Sequence, residues 1–303
     1  MGDAPGLAES EGNASDLADR AATLWPSAAI PGALHIVSTP IGNLGDISLR
    51  ALAVLKEAAV ICCEDTRHAR TLLSRYGIGT PTIAVHEHNE ASVIPRLVAR
   101  LKAGDALALI SDAGTPLVSD PGARLAEAAA TAGLRVVPIP GASAVLAALV
   151  ASGMVPHPFT MLGFPARKGK EREEQLALAA RLPHAVVLYE SPNRLVDTLR
   201  DLAAIAGTTR PVAVARELTK KFEHTERGTL AELIEWAKTE PKGEMVFVLS
   251  GAIKSSKDVS TLVADVLKLE DSGLRMKDAV AEIAELNGVS KSVLYQLSLD
   301  AKK

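Results

Sequence analysis

Residues 106–122 read ALALISDAGTPLVSDPG, and the fold class turns on them. Leu107, Ala108, Leu109 and Ile110 form a continuous apolar run of strand length. The turn residues Ser111-Asp112-Ala113-Gly114-Thr115-Pro116 follow at once, Ser119-Asp120-Pro121-Gly122 make a second turn, and a helix-like segment starts at Ala123. A buried strand that gives way to a helix through small residues marks the edge at which open α/β sheets hold ligands.

The same unit recurs on both sides of this stretch. Upstream, Leu34–Val37 runs into the loop 38–46, and Ser48 caps a helix over 49–56. A strand at 59–63 ends in Glu64-Asp65-Thr66-Arg67 before a helix over 68–76, and a strand at 82–85 precedes a helix over 91–103. Downstream, a helix over 123–132 leads to a strand at 135–139, the loop Pro140–Ala144 and a small-residue helix. Strands alternating with helices predict a mostly parallel sheet covered on both faces. Ser152–Pro158 has a glycine and two prolines and reads as a linker between domains 33–151 and 159–252. The second unit carries strands at 159–164, 185–189, 212–215 and 245–249, with helices at 171–182, 192–206 and 230–238. Residues 253–303 change to helical periodicity, with Asn287-Gly288 as a turn, and read as a small bundle or helix-turn-helix-like appendage. Residues 1–32, small and acidic with no period, read as a disordered tail.

Composition bounds the function. A net charge of −3 over 303 residues does not advertise a nucleic-acid binder, although a local basic patch is compatible with it. The two cysteines, Cys62 and Cys63, are adjacent in an apolar run, which excludes a disulfide framework and fits a reducing cytoplasm. No apolar run approaches the roughly 20 residues that span a bilayer. The acidic start is the opposite of a signal peptide's.

Four strand ends carry small or polar residues: Thr39–Gly42, Glu64–Arg67, Ser111–Pro116 and Pro140–Ala144. In a parallel sheet they emerge on one edge and outline a cleft floored by backbone groups, which suits a nucleoside-like ligand. Neither G-x-G-x-x-G after the first strand nor G-x-x-x-x-G-K-[ST] is present, which disfavours a dinucleotide oxidoreductase and a P-loop. His86 and His88 with Glu87 or Glu90 have metal-ligand types, but a polar loop after a strand is the better reading, and no metal is expected. Arg167-Lys168-Gly169-Lys170-Glu171-Arg172 is a basic run that either meets phosphates or starts a solvated helix. Glu190–Arg194 and Arg216–Lys221 follow strands directly and are better placed for a site.

Six motifs, VSTPIGNLGDISLRA (37–51), EDTR (64–67), SDAGTPLVSDPG (111–122), PIPGASA (138–144), YESPNR (189–194) and RELTKKFEHTERG (216–228), resemble the tetrapyrrole methylase superfamily. More narrowly they resemble its branch acting on 16S rRNA at a cytidine 2′-oxygen, over about residues 34–251. The resemblance implies two α/β domains of the tetrapyrrole methylase type, S-adenosyl-L-methionine in the interdomain cleft, a small C-terminal helical segment and a homodimer. By the same resemblance Pro40, Ile41, Asp112, Ala113, Gly114 and Thr115 cradle the cofactor, and Ser143 and Ala144 flank it. Tyr189, Glu190 and Leu218, with Glu244 or Met245, close from the second domain. The reaction implied is 2′-O-methylation of a cytidine in the decoding region of 16S rRNA, within the 30S subunit, in the cytoplasm. Arg167, Lys168, Lys170, Arg172 and the C-terminal helices are then the expected RNA surfaces. A poor hydroxyl nucleophile gains from a base or a cation. Unrelated 2′-O-methyltransferases use a lysine with acidic neighbours, which points first to Lys220 with Glu217 and second to Asp65 with Arg67. A methyltransferase for a corrin precursor and a non-catalytic RNA-binding factor are the alternatives.

Overall fold

The computed structural model describes residues 14–154, 157–239, 241–252, 259–287 and 289–302. The first unit runs α1 (Ala14–Leu24), β1 (Ala33–Val37), α2 (Leu49–Glu57), β2 (Val60–Cys63), α3 (Thr66–Arg75), β3 (Thr82–Ala84), α4 (Glu90–Lys102), β4 (Leu107–Leu109), α5 (Ala123–Thr131), β5 (Arg135–Ile139) and α6 (Ala144–Ala151). Its strands lie in the order β3-β2-β4-β1-β5, all parallel.

The unbroken apolar character of these strands has a direct cause. Alternate side chains point to opposite faces, and both faces are covered. Leu34, Ile36, Val60, Cys62, Leu107 and Leu109 pack on α4 and α5. Val37, Ile61, Cys63, Ala108 and Ile110 pack on α2 and α3. His35 is buried in β1: Ile30 N–H donates to its Nε2 at 3.1 Å, and its Nδ1 lies 3.1 Å from the Leu107 carbonyl. Both nitrogens are satisfied by a neutral ring, and burial lowers its pKa.

Residues 14–32 depart from the expected tail. Helix α1 buries Ala18 and Ala21, one turn apart, against α2, and Asp19 pairs with Lys56. Alanines let two helix backbones approach closely but add little apolar signal, so periodicity is a poor guide here. Residues 1–13 of that expectation lie outside the described residues.

The second unit runs β6 (Phe159–Gly163), α7 (Lys170–Arg181), β7 (Ala185–Glu190), α8 (Leu195–Ala206), β8 (Pro211–Arg216), β9 (His224–Thr229), α9 (Leu230–Ala237) and β10 (Met245–Leu249). Its order is β6-β7-β10-β8-β9, and only the β6–β7 pair is parallel. The connection between β8 and β9 contains no helix, so the chain reverses and pairs antiparallel. Strand β9, HTERGT, is a charged edge strand without the apolar alternation that reveals strands in a sequence.

Helices α7, α8 and α9 cover one face of this second sheet. The other face is covered by the first unit: Val145, Ala148 and Leu149 of α6, with Ile41, pack on Val187, Ala213, Ala215, Val246 and Val248. Arg227 of β9 donates to the Ala151 and Ser152 carbonyls at the end of α6. The two units therefore share a core, and their relative position is set by packing rather than by the linker alone.

After residue 258, α10 (Val263–Asp271), α11 (Met276–Asn287) and α12 (Lys291–Asp300) enclose a small core of their own around Val266, Val280, Ala284 and Leu294. Ser290 caps α12 by accepting from Val293 N–H. Among the described residues no helix is long and apolar enough to cross a membrane.

Candidate functional site

The helix after β1 lies on one face of the first sheet and the helix after β4 on the other, although β1 and β4 are neighbours. Their carboxyl ends therefore splay apart into a topological switch point. There the two loops are tied by a reciprocal backbone pair, Thr39 N–H to the Gly114 carbonyl at 2.8 Å and Gly114 N–H to the Thr39 carbonyl at 3.1 Å. Gly114 has φ of 80°, and a Cβ on it would sit 3.2 Å from Ile41 Cγ2, so glycine alone suits the position.

A cleft of about 660 Å³ opens at this point, between the two units. The first unit lines it with Ile41, Asp112, Ala113, Gly114 and Thr115, then Ser143 and Ala144. The second contributes Tyr189, Glu190, Leu218 and Met245, together with Glu217 and Lys220. These residues, far apart in sequence, are thus brought to one surface. Pro40 does not line the cleft. Its fixed φ shapes the loop that presents Ile41.

The cleft holds more than sequence reading assigned to it. Val118, Ser119 and Asp120 line it from the second turn, Phe164 from the end of β6, and Gly243 from the turn before β10; of the pair expected there, both Glu244 and Met245 line it. Phe164 lies 5.0 Å, centroid to centroid, from Tyr189, and the two rings form an aromatic corner. The turn signal at Ser119–Asp120 was visible in the sequence. Glu244 enters because β10 pairs with β8 in the register Met245–Arg216, which sets it beside Glu217.

The electrostatics are lopsided. Asp112, Asp120, Glu190, Glu217 and Glu244 line the cleft with Lys220 as the one cation among the described lining residues. Lys220 Nζ lies 3.1 Å from Glu217 Oε1 and 3.0 Å from Glu244 Oε2. Burial works against its charge, but the two carboxylates outweigh that, and its pKa rises. The hydrogen bond from Lys220 in turn lowers that of Glu217. Burial first, then the nearby charges of Glu64 and Asp112, pushes the Asp120 carboxyl up to about 6. Asp112 Oδ1 is buried without a hydrogen-bond partner, a donor-hungry oxygen at the cleft wall. Left-handed φ at Leu117 (73°), Ser119 (68°), Glu217 (50°) and Thr219 (66°) falls in the two loops that meet here. Backbone strain of this kind is held only where surrounding structure over-determines it.

Two expectations are corrected by this geometry, those for Asp65 with Arg67 and for Arg172. Asp65 and Arg67 stand outside the cleft: Asp65 is the N-cap of α3, accepts from Arg67 N–H, and pairs with the exposed Arg67 side chain at 2.8 Å. They end β2, on the far side of β4 from the switch point. Glu190 contributes to the wall, but its carboxylate is fully engaged: Oε1 accepts from Ser191 N–H at 2.8 Å and Oε2 from the Thr198 hydroxyl at 2.6 Å. In the basic run, Arg172 is buried, bonded to Asp201 at 2.7 Å and Thr198 at 3.0 Å, and holds α7 to α8. Arg167, Lys168 and Lys170 are exposed, with Lys170 3.5 Å from Glu174. Cys62 and Cys63 are buried, their thiols pushed up to about 12 and about 11 by desolvation, which removes them as nucleophiles. Among the described residues no cluster of three or more metal-ligating side chains occurs.

Comparison with known proteins agrees with this architecture. Residues 33–234 match the family model described as Tetrapyrrole (Corrin/Porphyrin) Methylases. The chain is 44% identical over 275 residues to the ribosomal RNA small subunit methyltransferase I of Haemophilus influenzae, covering 89% of this chain and 97% of that one. It is 42% identical over 272 residues to the protein of the same name from Escherichia coli O157:H7, covering 89% and 95%. Among solved structures, a cobalt precorrin-4 methyltransferase superposes with TM-score 0.55 at 19% identity, covering 73% of this chain and 95% of that one. Diphthine synthase superposes with TM-score 0.56 at 15% identity, covering 72% and 90%. At such identities these structures speak for the fold alone. The extent of the family match, with relatives above 40% identity along nearly their whole length, settles the kinship: the chain belongs to the tetrapyrrole methylases, in the branch of the ribosomal RNA small subunit methyltransferases I.

Proposed function

We propose that this protein transfers the methyl group of S-adenosylmethionine to the 2′-hydroxyl of a cytidine in the decoding region of 16S rRNA, presented by the 30S subunit in the cytoplasm. The observation that carries the reading is the charge of the cleft. Carboxylates crowd around one lysine, with an unpaired buried oxygen on Asp112. Such a site repels phosphates and suits a cationic ligand. The residues therefore fit this methyl donor, which supplies an already activated methyl group on a positively charged sulfur. Asp112, the Ala113–Thr115 backbone, Ser143 and Ala144 hold it from the first unit, and Tyr189, Phe164, Leu218 and Met245 supply apolar and aromatic surface for its adenine.

The protein's own part is positioning and proton management. Attack by the hydroxyl oxygen forms the new C–O bond as the C–S bond breaks, and the hydroxyl proton must leave. Lys220 is a poor acceptor, because Glu217 and Glu244 hold it protonated. Its charge instead stabilises the oxygen as negative charge develops. Asp120, ionised at neutral pH yet more basic than an ordinary carboxylate, is the better proton acceptor. Exposed Leu146 and Val150, one turn apart on the outer side of α6, support a homodimer.

The test is incubation with labelled S-adenosylmethionine and, in parallel, 30S subunits, naked 16S rRNA or a corrinoid extract. Label on a cytidine 2′-oxygen is expected from the 30S arm. Label in the corrinoid arm alone overturns the reading in favour of a small tetrapyrrole substrate.

A further inference from the structure

Beside the donor cleft lies a second hollow, of about 630 Å³, at the corner where β8 passes into β9 and the chain leaves α9. It shares Glu217 and Gly243 with the cleft as a common wall, so the two are adjacent. Trp236 packs on the core of the second unit and also lines the hollow, with the His224 ring 6.4 Å away and tilted by 32°. Phe222 stands at the rim, 63% exposed, with Lys221 Nζ 5.6 Å from its ring centroid. Arg216, whose guanidinium is steadied by a 2.9 Å bond to the Lys242 carbonyl, and exposed Lys242 add positive charge.

Aromatic faces interleaved with cations are the composition that holds unpaired nucleotides: bases stack and phosphates pair. The cleft itself is too acidic to hold RNA phosphates, so an RNA substrate needs a grip next to it. The run 167–172 offers less, because Arg172 is committed to Asp201 and Thr198. We propose that this hollow receives an unpaired nucleotide flanking the one that is methylated, its base on Phe222 and Trp236 and its phosphate on Arg216 and Lys242. The proposal rests on the RNA reading above.

The experiment uses the full chain as wild type, Phe222→Ala, Phe222→Tyr and Lys242→Ala. Three quantities are measured: KM and kcat for 30S subunits, the Kd of S-adenosylhomocysteine by calorimetry, and binding of a single-stranded oligocytidylate by anisotropy. Phe222→Ala raises KM and weakens oligonucleotide binding about tenfold, the loss of one stacked base. Phe222→Tyr restores both. Lys242→Ala weakens them severalfold and flattens their salt dependence. The Kd of S-adenosylhomocysteine stays unchanged throughout. Unchanged KM and oligonucleotide binding in Phe222→Ala and Lys242→Ala, with wild type active on 30S subunits, overturn the proposal. If wild type labels no RNA yet the variants lose oligonucleotide binding, the hollow stands and the reaction assigned above falls.

Discussion

Lys220 and Asp120 divide the work at the cleft by the way their surroundings set their charge. The ammonium of Lys220 is fixed between two carboxylates at 3.1 and 3.0 Å. Lys220→Met removes the charge while keeping most of the side-chain length. Its expected effect is a fall in single-turnover rate of about 10²–10³-fold, with the Kd of S-adenosylhomocysteine within about threefold, because the donor's other partners remain; an unchanged rate removes Lys220 from the mechanism. Asp120 gives a pH signature. With its carboxyl raised to about 6, kcat rises with pH through that value and then levels, and Asp120→Asn abolishes the rising limb. The stability consequence has the opposite sign. A folded pKa above the unfolded value of 3.8 means the folded state holds the proton more tightly, so stability present below that value is lost as pH rises through about 6. Asp120→Asn is therefore more stable than wild type near pH 8, by about 1 kcal/mol once solvent screening of this half-buried group is allowed for. The two proteins match near pH 4. Urea unfolding at the two pH values measures the difference, and equal stability at both shows that Asp120 is not desolvated.

At the scale of elements, the cleft is a contact between two loops, 38–46 of the first unit and 217–223 of the second. A Cβ on Gly42 would lie 2.5 Å from Lys220 Cγ, 2.9 Å from Thr219 Oγ1 and 3.0 Å from the Leu218 carbonyl oxygen. Gly42→Ala therefore forces the loops apart and displaces Lys220. A drop in kcat of at least about tenfold is expected from a misplacement of this size, with unchanged far-ultraviolet circular dichroism. Full activity shows that the loops yield without moving Lys220. The same level explains what the sequence made legible. Gly114, Ser143 and Ala144 could be assigned because each follows its strand within a few residues, and α/β sheets use that edge. Asp65 looked equivalent, since a sequence does not say which strand ends adjoin the switch point; the order β3-β2-β4-β1-β5 does. Arg172 was decipherable: it shares a helical face with Leu176 and Ala179, both buried, and so turns inward. Phe164 was not, because its membership depends on domain closure. Strand β9 was hidden by its charges, and α1 by its alanines.

For the whole molecule, α6 is the element on which the domains and the cleft converge. Its sequence, AVLAALVA, is apolar all round, which in a helix signals burial on more than one side. Val145, Ala148 and Leu149 enter the core shared by the two units, and Ser143 and Ala144 at its start reach the cleft. Leu146 and Val150, 54% and 73% exposed, are left facing outward. These two large aliphatic side chains, one turn apart, form a small exposed apolar patch, which a homodimer built on this face would bury. In a homodimer that surface meets its own copy, so one substitution acts twice across the two-fold axis. Val150→Glu places two carboxylates at an apolar contact, where neither finds a partner. Light scattering is expected to give a dimer for wild type and a monomer for Val150→Glu at micromolar concentration. Since α6 also braces the cleft, loss of the dimer should weaken binding of S-adenosylhomocysteine severalfold while the melting transition stays cooperative. A variant that remains dimeric shows that the interface lies elsewhere, and α6 then joins only the two domains of one chain.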